Sequence, residues 1–262
     1  MQLEVISREP AQKLSETPLL FVHGSCHAAW CWEENFLDYF ASCGFAAHAV
    51  SLRGHGKSEG KEKLRWTSVK DYVSDVAQIA DRFQDKPVVI GHSLGGLVVQ
   101  KYLEKHDAPA AVLLAPSPVS GMFSDGMRIF FGDPFLFFRV FAKFDVLKIY
   151  GTPERVRQSL FSETTSQTKT ANYSEKFGQE SFRAFLEMIY LLPNPKLIKS
   201  PILVVGAEND KIVSQNSIRK TAESYRADVK IFSAMAHDLM LEEGWETVAE
   251  FICEWLKRRL MK

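Results

Sequence analysis

The stretch Val88-Val89-Ile90-Gly91-His92-Ser93-Leu94-Gly95-Gly96 decides how the chain is read. Val88–Ile90 is a short, continuous apolar run, as expected of a strand buried on both faces. A helical stretch, Leu94–Lys105, begins immediately after it. Between the two lies Gly91-x-Ser93-x-Gly95. Small residues two positions before and after a serine let the backbones pass closely in a sharp, strained strand-to-helix turn. Such a turn lifts the Ser93 hydroxyl above the sheet and sets it at a helix N-terminus. Backbone N–H groups there can stabilise a developing oxyanion.

Similar runs recur on both sides: Leu19–Val22, Ala46–Leu52, Ala111–Leu114, Ile202–Val205 and Val229–Phe232. Helical stretches alternate with them. These are Trp32–Cys43, Ser68–Gln84 (opened by Ser68 and Asp71 in a capping-box-like spacing), Ser217–Tyr225 and Trp245–Leu260. This alternation predicts an α/β fold with a mostly parallel sheet flanked by helices. From Pro116 to Pro195 no buried strand is evident, and the segment reads as helical and rich in phenylalanine. The expected organisation is a core of residues 1–115 and 196–262 with a helical cap, 116–195, over the carboxyl edge of the sheet, where open α/β sheets bind ligands.

A serine hydroxyl needs a base to take its proton. His237 lies in the loop Ser233–His237, beyond the last expected strand. Asp210 follows Ile202–Val205, where an acid could orient that imidazole; Glu208 is the rival. The other six histidines lie before the last strand and are poor bases on topology. The order Ser93, Asp210, His237 is that of a serine, acid, histidine triad. A second oxyanion donor is expected from the loop after Leu19–Val22, which makes the Ser25 and Leu94 amides the candidate pair. His23 reads as bracing that loop, and Ser51–Ser58 as a structural turn near the site's rim. Trp30 and Trp32 are expected to open the next helix and pack on the core or the pocket floor.

Composition narrows the class. The chain has 262 residues, 46% hydrophobic and 24% charged, enough for a sizeable core. Lys plus Arg equals Asp plus Glu, 32 each, so no positive field favours nucleic acid or anionic lipid. MQLEVISREP lacks a secretory pattern and no apolar run is long enough to span a membrane, so a cytoplasmic location is expected. The four cysteines, Cys26, Cys31, Cys43 and Cys253, have neither disulfide context nor zinc spacing and read as packing residues.

Four separated motifs together resemble the α/β-hydrolase superfamily, in its serine-triad esterase and lipase-like branch: His23–Trp32, Arg53–Gly60, Gly91–Gly96, and the pair Asp210 and His237. The first is similar to that of plant methylesterases and hydroxynitrile lyases. The lyases carry threonine at the position of Gly24 and lysine at that of Asp238, and both departures favour hydrolysis. The second is similar to monoglyceride lipases, which have aspartate where this chain has Ser51. Ser93 excludes the aspartate-nucleophile dehalogenases and epoxide hydrolases.

The resemblance implies a serine esterase needing no metal or organic cofactor, with a small apolar ester as its partner. A homodimer is one option for assembly. Eight phenylalanines (123, 130, 131, 135, 137, 138, 141 and 144) fall between Phe123 and Phe144. They lead to an expected apolar pocket for an acyl or aryl group, with Phe123, Phe130 and Phe131 as pocket residues. Non-hydrolytic chemistry on the same scaffold (a lyase, a perhydrolase or a cofactor-free oxygenase), carbon–carbon hydrolysis, and a ligand-binding receptor are the alternatives.

Overall fold

The computed structural model describes residues 1–132, 135 and 144–261. Phe137, Phe138 and Phe141 of the apolar cap segment lie outside these. Seven strands form one sheet: β1 (Val5–Arg8), β2 (Leu19–Val22), β3 (Ala47–Val50), β4 (Val88–His92), β5 (Ala111–Leu114), β6 (Ile202–Ala207) and β7 (Asp228–Phe232). Their order is β1-β3-β2-β4-β5-β6-β7, parallel except for the β1–β3 pair. Six coincide with the apolar runs of the sequence. The seventh, β1, is a partly exposed edge strand without a continuous apolar signal.

Alternate residues of each strand bury on opposite faces, as a period of two requires. Phe21, Ile90, Val112 and Val205 join one core with Trp32, Phe36 and Phe40 from α1 (Trp30–Glu33) and α2 (Phe36–Ser42), and with Ile252 and Leu256 from a C-terminal helix, Trp245–Leu260. Leu20, Val22, Val89, Leu113 and Val204 join the other with α3 (Val69–Ala80) and α4 (Leu94–Leu103). Each such fully buried side chain contributes about 1.5–3 kcal/mol. The stretch Trp32–Cys43 is two helices rather than one, because Asn35 leaves the helical region with φ −142°. Ser68 and Asp71 form the expected reciprocal capping box on α3.

Between β5 and β6 the described residues carry α5 (Phe123–Gly132), α6 (Pro153–Leu160), α7 (Gln167–Glu175) and α8 (Phe182–Tyr190), and no strand. Among the described residues no helix is long and apolar enough to cross a membrane. The chain leaves β2 for β3 on one side, then returns across to β4 and continues outward to β7. Strand order therefore reverses between β2 and β4. Their carboxyl ends meet in register, Val22 beside Gly91, so the loops after them, holding Ser25 and Ser93, flank the crevice where such sheets bind ligands.

Candidate active site

Ser93 sits at φ 52°, ψ −116° between β4 and α4, a strained backbone for a residue with a side chain. The surroundings enforce it. A Cβ on Gly95 would collide with the carbonyl oxygens of Val22 and His23, and one on Gly91 with the backbone of Gly95. Ser93 N–H donates to Leu114 O at 3.1 Å, and Ser93 O accepts from Gly96 N–H and Ser117 N–H at 3.0 Å each.

The Oγ of Ser93 lies 3.0 Å from His237 Nε2. His237 Nδ1 lies 2.8 Å from Asp210 Oδ2. The other Asp210 oxygen accepts the amides of Ile212 and Val213 at 2.7 and 2.9 Å, which holds the carboxylate in place. Glu208, the rival acid, is exposed and accepts the Ala234 amide instead. Burial disfavours the imidazolium of His237, but the Asp210 charge and hydrogen bond, with Asp238 adding to them, raise its pKa above the ordinary 6.5. His237 thus has one nitrogen on the acid and the other on the hydroxyl, as a proton relay requires. His92, His237 and Asp238 also bring potential metal-ligand atoms within 4.8 Å, yet the contacts just given already occupy both nitrogens of His237.

Leu94 opens α4, so its amide has no intrahelical acceptor. The opposite loop, His23 to Cys26, is held from several sides. Leu52 N–H donates to His23 Nε2 at 3.0 Å, and His23 Nδ1–H donates to Gly24 O at 2.8 Å. Burial, then the neighbouring histidines, hold His23 uncharged despite that backbone bond. This matches the bracing role read from the sequence. His27 joins Ser25 O at 2.8 Å to Asp238 Oδ2 at 3.1 Å. Cys26 adopts φ 63°; its amide donates to Glu180 Oε2 at 3.3 Å, and its carbonyl accepts from Gly178 N–H at 2.9 Å.

Glu180 and Asp238 were not picked out as site residues from the sequence. Both are buried acids among histidines. Glu180 accepts Tyr72 OH at 2.7 Å and lies 3.4 Å from His55 Nε2. Burial would raise its pKa, but His55, Tyr72 and the Ser181 amide hold it low. Burial acts the same way on Asp238, and His27, His92 and His237 overcome it. His92 is driven down to about 3, by burial first, and so stays neutral while its Nε2–H donates to His237 O at 3.1 Å. A lone Glu between α7 and α8 has no motif, so only a three-dimensional partner could reveal it.

The Arg53–Gly60 turn is structural as expected, with Arg53 Nη2 on Asp75 Oδ1 at 2.6 Å. It packs behind the Ser25 loop rather than on the rim: His55 is buried, 4.9 Å ring to ring from His23.

Ser93 opens into a cavity of about 120 Å³. Met122 just before α5, Ile129 on it, Phe185 and Met188 of α8, Val146 and Ile212 supply its apolar walls, Tyr150 and Ser159 also line it, and Gly126 leaves part of the α5 face open. The phenylalanine assignment needs correction. Phe123 and Phe131 are 67% and 74% exposed, and Phe130 is also absent from the described lining. Met122, just before α5, and Gly126 and Ile129 on it face inward at helical spacing, which turns Phe123 and Phe131 away. Trp32 is in the core, and Trp30 stacks on His27 outside the pocket.

The sequence pattern of the Alpha/beta hydrolase family matches residues 19–251. A monoacylglycerol lipase of Mycolicibacterium smegmatis is 20% identical over 247 residues, covering 84% of this chain and 81% of that protein. Methyl jasmonate esterase 1 of Vitis vinifera is 30% identical over 92 residues, but this spans only 34% of each chain. The crystal structure of a Paleococcus ferrophilus monoacylglycerol lipase superposes with a TM-score of 0.72 at 21% identity, covering 99% of this chain and 100% of that one.

Proposed function

The chain belongs to the alpha/beta hydrolase family, and from that premise we propose that it hydrolyses carboxylic esters bearing a short apolar acyl or aryl group, through an acyl-enzyme on Ser93. The observation that carries this reading is the unbroken Ser93–His237–Asp210 relay, 3.0 and 2.8 Å, at the mouth of an apolar cavity. The similarity to a monoacylglycerol lipase and a methyl jasmonate esterase supports ester bonds as the target.

His237 takes the Ser93 proton as Oγ attacks the ester carbonyl. Asp210 fixes the Nδ1–H tautomer and stabilises the imidazolium that forms. The amides of Ser25 and Leu94 receive the oxyanion. His237 then protonates the leaving alcohol, and a water repeats the sequence to release the acid. Cavity size bounds the acyl group. About 120 Å³ is smaller than the roughly 150 Å³ of an engineered apolar cavity that holds benzene. A group of about six heavy atoms or fewer fits.

The test is hydrolysis of aryl esters from acetyl to dodecanoyl by wild type and Ser93→Ala. Turnover peaking at short acyl chains and lowered roughly 10⁴–10⁶-fold by the substitution agrees with the proposal. Near-wild-type turnover in Ser93→Ala overturns it.

A further inference from the structure

One buried acid is unused by the relay and by the oxyanion loop. Glu242, in the turn before the C-terminal helix, is 0% exposed, and among the described residues it forms no ion pair. Its carboxylate is filled with donors instead. Oε1 accepts the amides of Ala236 and Ser162 at 2.9 and 2.7 Å. Oε2 accepts the hydroxyls of Ser162 and Thr165 at 2.7 and 2.6 Å. Burying a carboxylate without a counter-charge is costly even when it is hydrogen-bonded, and an apolar side chain could fill the same space. What Glu242 does that an apolar residue could not is join two stretches of chain: the loop that carries His237 and the turn after α6.

The His237 loop does not hold itself. Ala234 stands at φ 59°, a left-handed backbone for a residue with a side chain. Its anchors come from outside. The amide of Ala236, one residue before His237, is on Glu242. The amide of Asp238, one residue after, donates to Leu160 O at 3.0 Å. Glu242 is itself set against this loop, its own amide donating to Asp238 O at 3.2 Å. Leu160 ends α6, and Ser162 and Thr165 follow it directly. Both neighbours of the base are therefore anchored on the same stretch, residues 160–165. The helix before that stretch lines the cavity through Ser159. The base works across 3.0 Å to Ser93 and 2.8 Å to Asp210, contacts that a shifted loop would not keep together.

We propose that Glu242 is a positioning residue for the base: it fixes the His237 loop on the turn after α6, so that the imidazole meets Ser93 and Asp210 together only while that turn is docked. Glu242 touches neither the substrate nor the reacting atoms and acts through the Ala236 amide. Because α6 supplies part of the cavity wall, the same tie couples that wall to the base. This inference rests on the esterase reading above.

The experiment measures kcat and KM for phenyl acetate, and the downfield proton resonance of the His237 Nδ1–H on Asp210, in wild type, Glu242→Leu, Glu242→Gln and Thr165→Val. Glu242→Leu keeps most of the volume and removes the acceptor. The expected result is a kcat about 10²-fold lower with KM within about twofold, the loss that a misplaced catalytic group brings, and a resonance weakened or lost. In Glu242→Gln the side-chain oxygen can still receive both backbone amides, while its NH2 group donates to hydroxyls that turn round. That variant should therefore stay within about threefold of wild type in kcat and keep the resonance. Thr165→Val takes one donor from the far side of the tie, and a smaller fall in kcat with KM held is expected. A folded Glu242→Leu with wild-type kcat and resonance overturns the proposal. Glu242→Gln as slow as Glu242→Leu also overturns it, since the charge rather than the tie would then matter. If Glu242→Leu does not fold, Thr165→Val decides: a lower melting temperature with kcat and resonance unchanged assigns the network to structure alone and overturns the positioning role. A wild type that turns over no ester overturns the esterase reading, while the resonance, which needs no substrate, still tests the tie.

Discussion

Glu180, just before α8, accepts the amide of Cys26, the residue following the candidate oxyanion donor Ser25, at 3.3 Å. The carbonyl of Cys26 is held from the same segment by Gly178. Helices between β5 and β6 and the loop after β2 therefore share one buried clamp. Its carboxylate also faces His55 and Tyr72. The clamp holds a non-glycine residue at positive φ, where the backbone alone would relax.

Glu180→Gln keeps the shape but removes the charge facing His55. Turnover should fall about tenfold, because an oxyanion donor displaced from its position loses part of what removing it entirely would cost. KM should change less than kcat. Unfolding free energy should drop by about 3 kcal/mol, as expected when one partner of a buried pair is neutralised. Steady-state kinetics beside a denaturant titration separate the two effects, and an unchanged kcat would show that the clamp does not act on the oxyanion loop.

The pH dependence follows from His237. The imidazole must be neutral to accept the Ser93 proton. Its pKa is raised, burial being outweighed by Asp210 and then Asp238. The acid limb of kcat/KM should therefore lie above pH 6.5, with activity lost as pH falls through it. Asp238→Asn removes one raising charge and should move that limb to lower pH. A limb that stays put or moves upward in this variant would contradict the assignment.

Asp210→Asn should lower kcat by about 10⁴-fold while the fold persists, since the amide stabilises the wrong imidazole tautomer. Glu208→Gln, at an exposed acid two residues earlier, should stay within about twofold of wild type. Parallel rate measurements with circular dichroism check both, and a large loss at Glu208 with none at Asp210 would reverse the roles.

Gly126 lies in α5 with nothing within 4 Å of an added Cβ, and it lines the cavity. Gly126→Ala should stabilise the helix by about 0.5–1 kcal/mol. Gly126→Leu should fill the cavity and shift the acyl preference toward acetyl. An acyl profile unchanged in Gly126→Leu would place the acyl group elsewhere.

Much of this was legible in the residues. The parallel strands announce themselves because burial on both faces writes continuous apolar runs, and the Ser93 turn because close backbone passage demands glycines at 91 and 95. Asp210 and His237 follow from topology, since each lies in the loop after a strand, on the same sheet edge. The edge strand β1 was not legible: pairing on one side and partial exposure leave no apolar run. The pocket wall was misread because counting phenylalanines ignores helix phase, which sends Phe123 and Phe131 outward and Met122 and Ile129 inward. Glu180 takes its meaning from partners brought near only by folding.

The central claim is that Ser93 is a nucleophile activated by His237. Intact-mass analysis after exposure to a fluorophosphonate, with peptide mapping, tests it most directly. The account predicts a single adduct on Ser93, formed rapidly by wild type, slowed at least about 10³-fold in His237→Ala, and absent in Ser93→Ala. A folded wild type that forms no adduct, or one labelled at another residue while Ser93 stays free, would contradict it.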